Sequence, residues 1–222
     1  MIRAFATRDA AMQAAAERIA EGLKIGISER GQGFAALSGG TTPAPAYEHL
    51  TAMPLDWSRV MFLVVDERFV PLSDEASNEA LLRRALAPAL AAGASVLPLY
   101  SDGVSLNEAA ARADALYADK PIDIALAGMG GDGHTASWFP QASVLEAALT
   151  STQSVIAVNA PGAYGTPERL TLTRTALARA KAIILLITGA EKRALLEDQV
   201  RPRLPVDALF DLPAPVETLW AP

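Results

Sequence analysis

Apolar positions along this chain fall into two alternating kinds of run. Met12, Ala16, Ile19, Leu23 and Ile27 recur at three- and four-residue spacing, which predicts an amphipathic helix over residues 8–29, with Gly22 and Gly26 as its weak points. Residues 34–37 form a short apolar run of strand length, and Tyr47 and Leu50 then return to helical spacing. The same reading gives strands at 60–65, 96–99, 122–127, 155–158, 169–173, 182–187 and 216–220. Helices are expected at 78–90, with Pro88 near the end, and at 108–117 and 190–200. Strand and helix alternate with no internal repeat, low-complexity tract or long linker. The expected fold is therefore α/β, one domain over residues 1–222, with a mostly parallel twisted sheet flanked by helices.

Composition narrows this picture. A chain of 222 residues with 51% hydrophobic and 20% charged residues has ample material for one packed core. No apolar run approaches the roughly 18 residues that cross a bilayer, and residues 1–8 lack the apolar centre of a signal peptide. The absence of cysteine suits the cytoplasm, and no membrane partner is expected. A formal charge of −6 without any basic run argues against nucleic acid. With no cysteine and two histidines, His49 and His134, the usual zinc sites are ruled out; a carboxylate-bound magnesium stays open, although no loop spacing asks for it, and no metal is expected. An anionic ligand would need a few arginines and lysines gathered locally to reverse the field.

Candidate chemistry sits where strands end. The run 122–127 empties into Gly128, Met129, Gly130, Gly131, Asp132, Gly133 and His134. The four glycines are expected to take positive φ and let backbone approach a ligand, with His134 at the mouth of the sheet. A histidine titrating near ~6.5 can act as a general base at neutrality; His49 reads as a solvated helix residue. Residues 128–133 also match the dinucleotide fingerprint, but they lie mid-chain, Pro140 cuts short the following helix, and the next strand ends in Asn159 rather than an acid. No G-x-S-x-G elbow is present.

Three further segments carry weaker signals. In Ser38, Gly39, Gly40, Thr41, Thr42, Pro43, Thr42 is placed to cap a helix and Pro43 to open it, leaving residues 39–42 to face an anion; an ordinary capped turn explains the pattern equally well. Asp66, Glu67 and Arg68 follow the strand 60–65. Arg68 suits a phosphate, although a solvated loop leading to a helix capped by Ser77 is the simpler account. Arg169 opens a strand, and Lys192 stands at a helix start, where a cation opposes the dipole and hints at a bound anion; each alone is an ordinary surface charge.

As an ordered set, residues 38–43, 66–78 and 131–140, followed by Arg169 and Lys192, closely resemble the 6-phosphogluconolactonase family. The resemblance implies a Rossmann-like fold related to glucosamine-6-phosphate deaminase and ribose-5-phosphate isomerase. It implies hydrolysis of a small phosphorylated sugar lactone in the oxidative pentose phosphate pathway, without metal or organic cofactor, by a monomer or small homo-oligomer. His134 would be the base, and Asp132 would orient it or hold a sugar hydroxyl. Gly39, Gly40, Thr41, Thr42, Asp66, Arg68, Gly130, Gly131, Arg169 and Lys192 would bind substrate and phosphate. Trp138 replaces a common leucine, Gln141 a common glycine, and the loop 161–167 lacks a lysine that many members carry. The related deaminases continue after the histidine with Ile-Ala-Phe-Asn-Glu-Pro and carry Asp-Glu-Tyr upstream. Here the stretches are Thr135, Ala136, Ser137, Trp138, Phe139, Pro140 and Asp66, Glu67, Arg68, so the Asn-Glu pair is missing. Sugar-phosphate sensors that borrow this fold carry a fused helix-turn-helix, whereas one helix precedes the first strand read here.

Overall fold

In the computed structural model, which describes residues 2–161 and 166–222, the chain begins with β1 (Ile2–Ala4) and α1 (Arg8–Arg30). The Thr7 side chain caps α1 by accepting from the Ala10 N–H, and Gly31, at φ 79°, closes it with a bond to the Ile27 carbonyl. Gly22 and Gly26 are clearances rather than weak points. A Cβ on Gly22 would lie 2.8 Å from Ile124 Cβ, and one on Gly26 would collide with the Asp123 carboxylate.

The chain continues through β2 (Gly33–Leu37), α2 (Ala44–Thr51), β3 (Val60–Val64), β4 (Asp66–Arg68), α3 (Asn78–Ala85), α4 (Ala87–Ala91), β5 (Ser95–Leu97) and α5 (Leu106–Tyr117). The second half holds β6 (Ile124–Ala127), α6 (Leu145–Thr150), β7 (Val155–Asn159), β8 (Glu168–Leu172), α7 (Arg174–Leu177), β9 (Ile183–Thr188), α8 (Ala190–Glu197), α9 (Asp207–Phe210) and β10 (Val216–Ala221). Seven parallel strands form one sheet in the order β1-β10-β9-β6-β2-β3-β5. The central strands β2 and β6 are buried along their whole length, which is why they read as unbroken apolar runs without alternation.

Residues 155–158 and 169–173, read as strands along with the others, belong instead to a second, antiparallel sheet in the order β4-β8-β7. Val65 joins the two sheets. Its N–H donates to the Leu37 carbonyl of β2, and its carbonyl accepts from the Leu172 N–H at the end of β8. The chain thus leaves the main sheet at Val65 and lays Asp66–Arg68 across its carboxyl edge.

Three local expectations change. The helix expected at 78–90 breaks at Leu86 into α3 and α4, because Pro88 has no N–H for the ladder and its ring crowds the preceding turn. The helix expected at 190–200 stops at Glu197, where Asp198 turns extended. Helix α2 starts at Ala44 with Pro43 in the cap position, so Thr42 does not cap it. No helix among the described residues is long and apolar enough to cross a membrane.

Asp123, buried at the amino edge of β6, accepts from Arg30 Nη2 at 2.7 and 2.5 Å and from the Phe34 N–H at 2.9 Å. Helix propensity alone would make Gly26→Ala stabilising by about 1 kcal/mol. The collision with Asp123 predicts the opposite: a loss of roughly 2 kcal/mol or more, read as a lower urea midpoint with an unchanged m-value.

Candidate active site

The strand order reverses between β2 and β6: the chain passes from β2 to β3 and β5, then returns to the other side of β2. Loops leaving adjacent strands in opposite directions open a crevice at their carboxyl ends. A cleft of about 250 Å³ lies there, lined from β2 by Ser38, Gly39, Gly40, Thr42 and Pro43 and from β6 by Gly128, Met129, Gly130, His134 and Ala136. Asp66, Arg68 and Asn78 enter from the second sheet and α3, Arg169 from β8, and Lys192 from α8.

The glycine turn is shaped chiefly by space. Its Gly130 N–H donates to the His134 carbonyl at 2.9 Å, and the Gly133 N–H to the Gly130 carbonyl at 3.1 Å. Of its four glycines only Gly133 takes positive φ, at 80°, so the expectation for 128, 130 and 131 does not hold. Gly130 is required sterically, because a Cβ there would run into the His134 ring. The strained backbone lies just beyond, at Ala136 (φ 50°), in the tight turn closed by the Trp138 N–H on the Thr135 carbonyl.

His134 Nδ1 lies 2.5 Å from Asp132 Oδ1, which also accepts the His134 backbone N–H at 3.1 Å. Burial pushes the Asp132 carboxyl up, but the His134 N–H and imidazole outweigh it and hold the group below its ordinary value. An ionised carboxylate only accepts, so Nδ1 carries the proton, and in the neutral imidazole the lone pair is on Nε2. The Phe139 ring packs beside the imidazole, 4.7 Å between centroids, and Arg169 stacks over that same ring at 5.6 Å.

Besides the histidine the cleft is cationic, lined by Arg68, Arg169 and Lys192 with Asp66 as the carboxylate among its described lining residues. Asp66 is buried and accepts from the Ser137 hydroxyl at 2.7 Å. Arg169 is buried and donates from Nε to the Thr166 carbonyl at 2.8 Å. Lys192 is half-buried and forms no hydrogen bond or ion pair among the described residues. Burial lowers its ammonium pKa, and the charge of Asp132 opposes that shift. The backbone N–H groups of Gly39, Gly40, Thr41 and Thr42 have no acceptor among the described residues, and the buried Ser38 hydroxyl has no partner there either. Such an arrangement is built to take an anion.

Glu67 overturns the solvated-loop account of 66–68: it is 0% exposed and ties β4 to α3. Ser77 caps α3 as expected, its hydroxyl accepting from the Ala80 N–H. Two expected contacts fall elsewhere. Thr41 lines a neighbouring cavity with Arg8, Asp9 and Met12, and Gly131 is exposed outside the cleft. Asp132 stands behind His134 rather than in the cleft wall. His49 is not merely solvated, since its Nε2 lies 2.8 Å from Asp9 Oδ1, away from the cleft. Ser38, Asn78, Met129 and Ala136 also line the cleft; they lie in the candidate segments but carry no expected contact, Asn78 because the Ser77–Asn78 pair reads as a helix cap. The lysine-lacking loop 161–167 falls largely on 162–165, outside the described residues.

The family profile described as glucosamine-6-phosphate isomerases/6-phosphogluconolactonase matches residues 6–220. A 6-phosphogluconolactonase of Caulobacter vibrioides is 44% identical over 99% of this chain and 97% of its own length. One from Mesorhizobium japonicum is 42% identical over 99% and 94%. A crystal structure of a 6-phosphogluconolactonase from Shewanella baltica superposes with a TM-score of 0.93 at 30% identity, covering 100% of this chain and 97% of that one.

The burial of Glu67 has a measurable consequence. Desolvation raises its pKa to about 7, against hydrogen bonds from Glu79, Asn78, Ser77 and Arg68 that favour the ionised form. The folded state therefore keeps a proton that the unfolded chain, with a carboxyl near ~4.3, gives up, so this group's contribution to stability falls as pH rises through that window. Urea denaturation at pH 5 and pH 8 should show the stability of wild type relative to Glu67→Gln declining by on the order of 3 kcal/mol. A difference that grows with pH would mean that the hydrogen bonds outweigh burial.

Proposed function

The chain belongs to the glucosamine-6-phosphate isomerase/6-phosphogluconolactonase family, and from that premise we propose that it hydrolyses 6-phospho-D-glucono-1,5-lactone to 6-phospho-D-gluconate in the oxidative pentose phosphate pathway. The observation that carries this reading is His134, its Nδ1 tied to Asp132, sharing one small cleft with three cations and a row of backbone N–H groups that have no acceptor among the described residues.

Ring opening needs an activated water and a place for charge on the carbonyl oxygen. Nε2 of His134 takes a proton from water, and the hydroxide adds to the lactone carbonyl carbon. Asp132 stabilises the imidazolium that results. Collapse of the adduct breaks the bond to the ring oxygen, which leaves with the proton that Nε2 returns. One water is consumed, and a carboxylic acid and a hydroxyl are formed. The Gly130 and Gly133 N–H groups are committed to the turn, so the oxyanion falls to Gly128 and Met129, whose N–H groups have no acceptor among the described residues. Each such donor contributes about 3 kcal/mol in other acyl-transfer sites.

Asp66, with Oδ2 held by Ser137, offers its other oxygen to a sugar hydroxyl. The phosphate sits against the backbone of Gly39, Gly40 and Thr42 with Arg68, Arg169 and Lys192 around it. A buried phosphate there replaces water around the cations with fixed charge, which is where a chain of net charge −6 gains affinity for an anion. The reading extends to a cytoplasmic enzyme, monomeric or a small homo-oligomer, in keeping with its lack of cysteine.

Acid release from freshly generated lactone, corrected for spontaneous opening, tests the assignment. His134→Ala should lower kcat at least ~100-fold with little change in KM, and an unchanged kcat would overturn the role of the histidine. Lys192→Met should raise KM about tenfold while kcat stays within about twofold.

A further inference from the structure

Glu67 takes no part in the chemistry above, yet its carboxylate gathers two elements at one point. Oε1 accepts from the Arg68 and Asn78 N–H groups, each at 2.7 Å. Oε2 accepts from the Glu79 N–H at 2.7 Å and the Ser77 hydroxyl at 3.0 Å. The donors belong to β4 and to the cap and first turn of α3, so the carboxylate fixes where α3 begins relative to β4.

That placement sets Asn78. Its Nδ2 donates to the Asp66 carbonyl at 2.7 Å, and its Oδ1 accepts from Arg68 Nη1 at 2.7 Å. The Ala76 carbonyl takes the same Nη1 at 2.7 Å. Gly39 leaves room for this arrangement, because a Cβ there would collide with the Asn78 amide. Arg68 Nε is buried with no partner among the described residues, so these two acceptors on Nη1 set the direction of the guanidinium.

We propose that Glu67 and Asn78 form a positioning relay that aims Arg68 into the cleft and thereby sets affinity for the phosphorylated end of the ligand. The relay rests on the phosphate reading of the cleft. Glutamine at 67 would turn an NH₂ group toward donors that need an acceptor, so one side of the bracket opens while the size is kept. The guanidinium then loses its aim rather than its charge, and the loss is felt only where Arg68 meets its ligand.

A double-mutant cycle on the intact protein reads this directly. Calorimetric titration with 6-phosphogluconate is run at pH 8, above the pKa of Glu67, on wild type, Glu67→Gln, Arg68→Ala and the double variant, with lactone turnover assayed on the same preparations. Glu67→Gln should weaken binding about tenfold in wild type but by less than about twofold once Arg68 is gone. A general structural defect would weaken both backgrounds equally, and that result, or no weakening in either, overturns the relay. Should Glu67→Gln fail to fold, Asn78→Ala enters the same cycle with the carboxylate bracket left in place, and the same two results decide. If the wild type neither turns over the lactone nor binds 6-phosphogluconate, the functional reading falls and the relay with it. Normal turnover with an unaltered Glu67→Gln removes the relay alone.

Discussion

The pairing of β2 with β6 across the point where the strand order reverses is the constraint from which the rest follows. Two parallel strands side by side, whose chains depart in opposite directions, leave their carboxyl ends uncovered. The Ser38 N–H, donating to the Leu126 carbonyl at 3.1 Å, is the last bond holding the two loops together. Beyond it one loop turns toward α2 and the other into the glycine turn, and the space between them is the cleft. Burial of both strands makes their register unforgiving, since a slip would drag His134 and Gly39 away from each other.

Glycine recurs around this frame for one steric reason. Gly26 clears Asp123, Gly39 clears Asn78, and Gly130 clears His134. In each case a polar side chain with demanding partners lies where a Cβ would stand, and none of the three has positive φ. At the amino edge of the sheet the device buries a carboxylate against Arg30 and the Phe34 N–H and serves packing. At the carboxyl edge it lets an amide and an imidazole sit close to backbone that faces a ligand. One rule of close approach thus serves stability at one end of the strands and chemistry at the other.

Much of this could be read from the chain. The buried parallel strands were visible as apolar runs, and the polar residues following them marked the right edge of the sheet because strand ends are where such loops must lie. Gly39, Gly40, Thr42, Asp66, Arg68, Gly130, His134, Arg169 and Lys192 do meet in one cleft. What stayed hidden depended on contacts distant in sequence. Residues 66–68 look like a solvated charge run because nothing nearby reveals that β8, a hundred residues on, pairs with them and buries Glu67. Asn78 looks like the residue after a cap, and its use as a bridge to Arg68 exists only once Gly39 lies against it. The positive φ assigned to four glycines came from their composition, whereas only Gly133 takes it and Gly130 is needed for the room it leaves the His134 ring.

The division of labour across the cleft also has an energetic logic. A lactone is already activated and opens unaided, so little transition-state stabilisation is needed at the carbonyl compared with the need to hold a small, well-hydrated ligand still. On the proposed function, three cations and the backbone N–H groups without an acceptor among the described residues supply binding that is equal in ground and transition states, which by itself raises affinity and not turnover. On the same reading it becomes useful for rate because the same cleft holds a histidine tied to Asp132, so an anchored phosphate would hold the ring at a set distance from Nε2. An arginine free to swing would still attract the phosphate but would let the ring wander. Under the proposed relay the fixed direction of Arg68 matters as much as its charge, and a buried carboxylate with four donors is a costly feature that makes physical sense where such direction must be held.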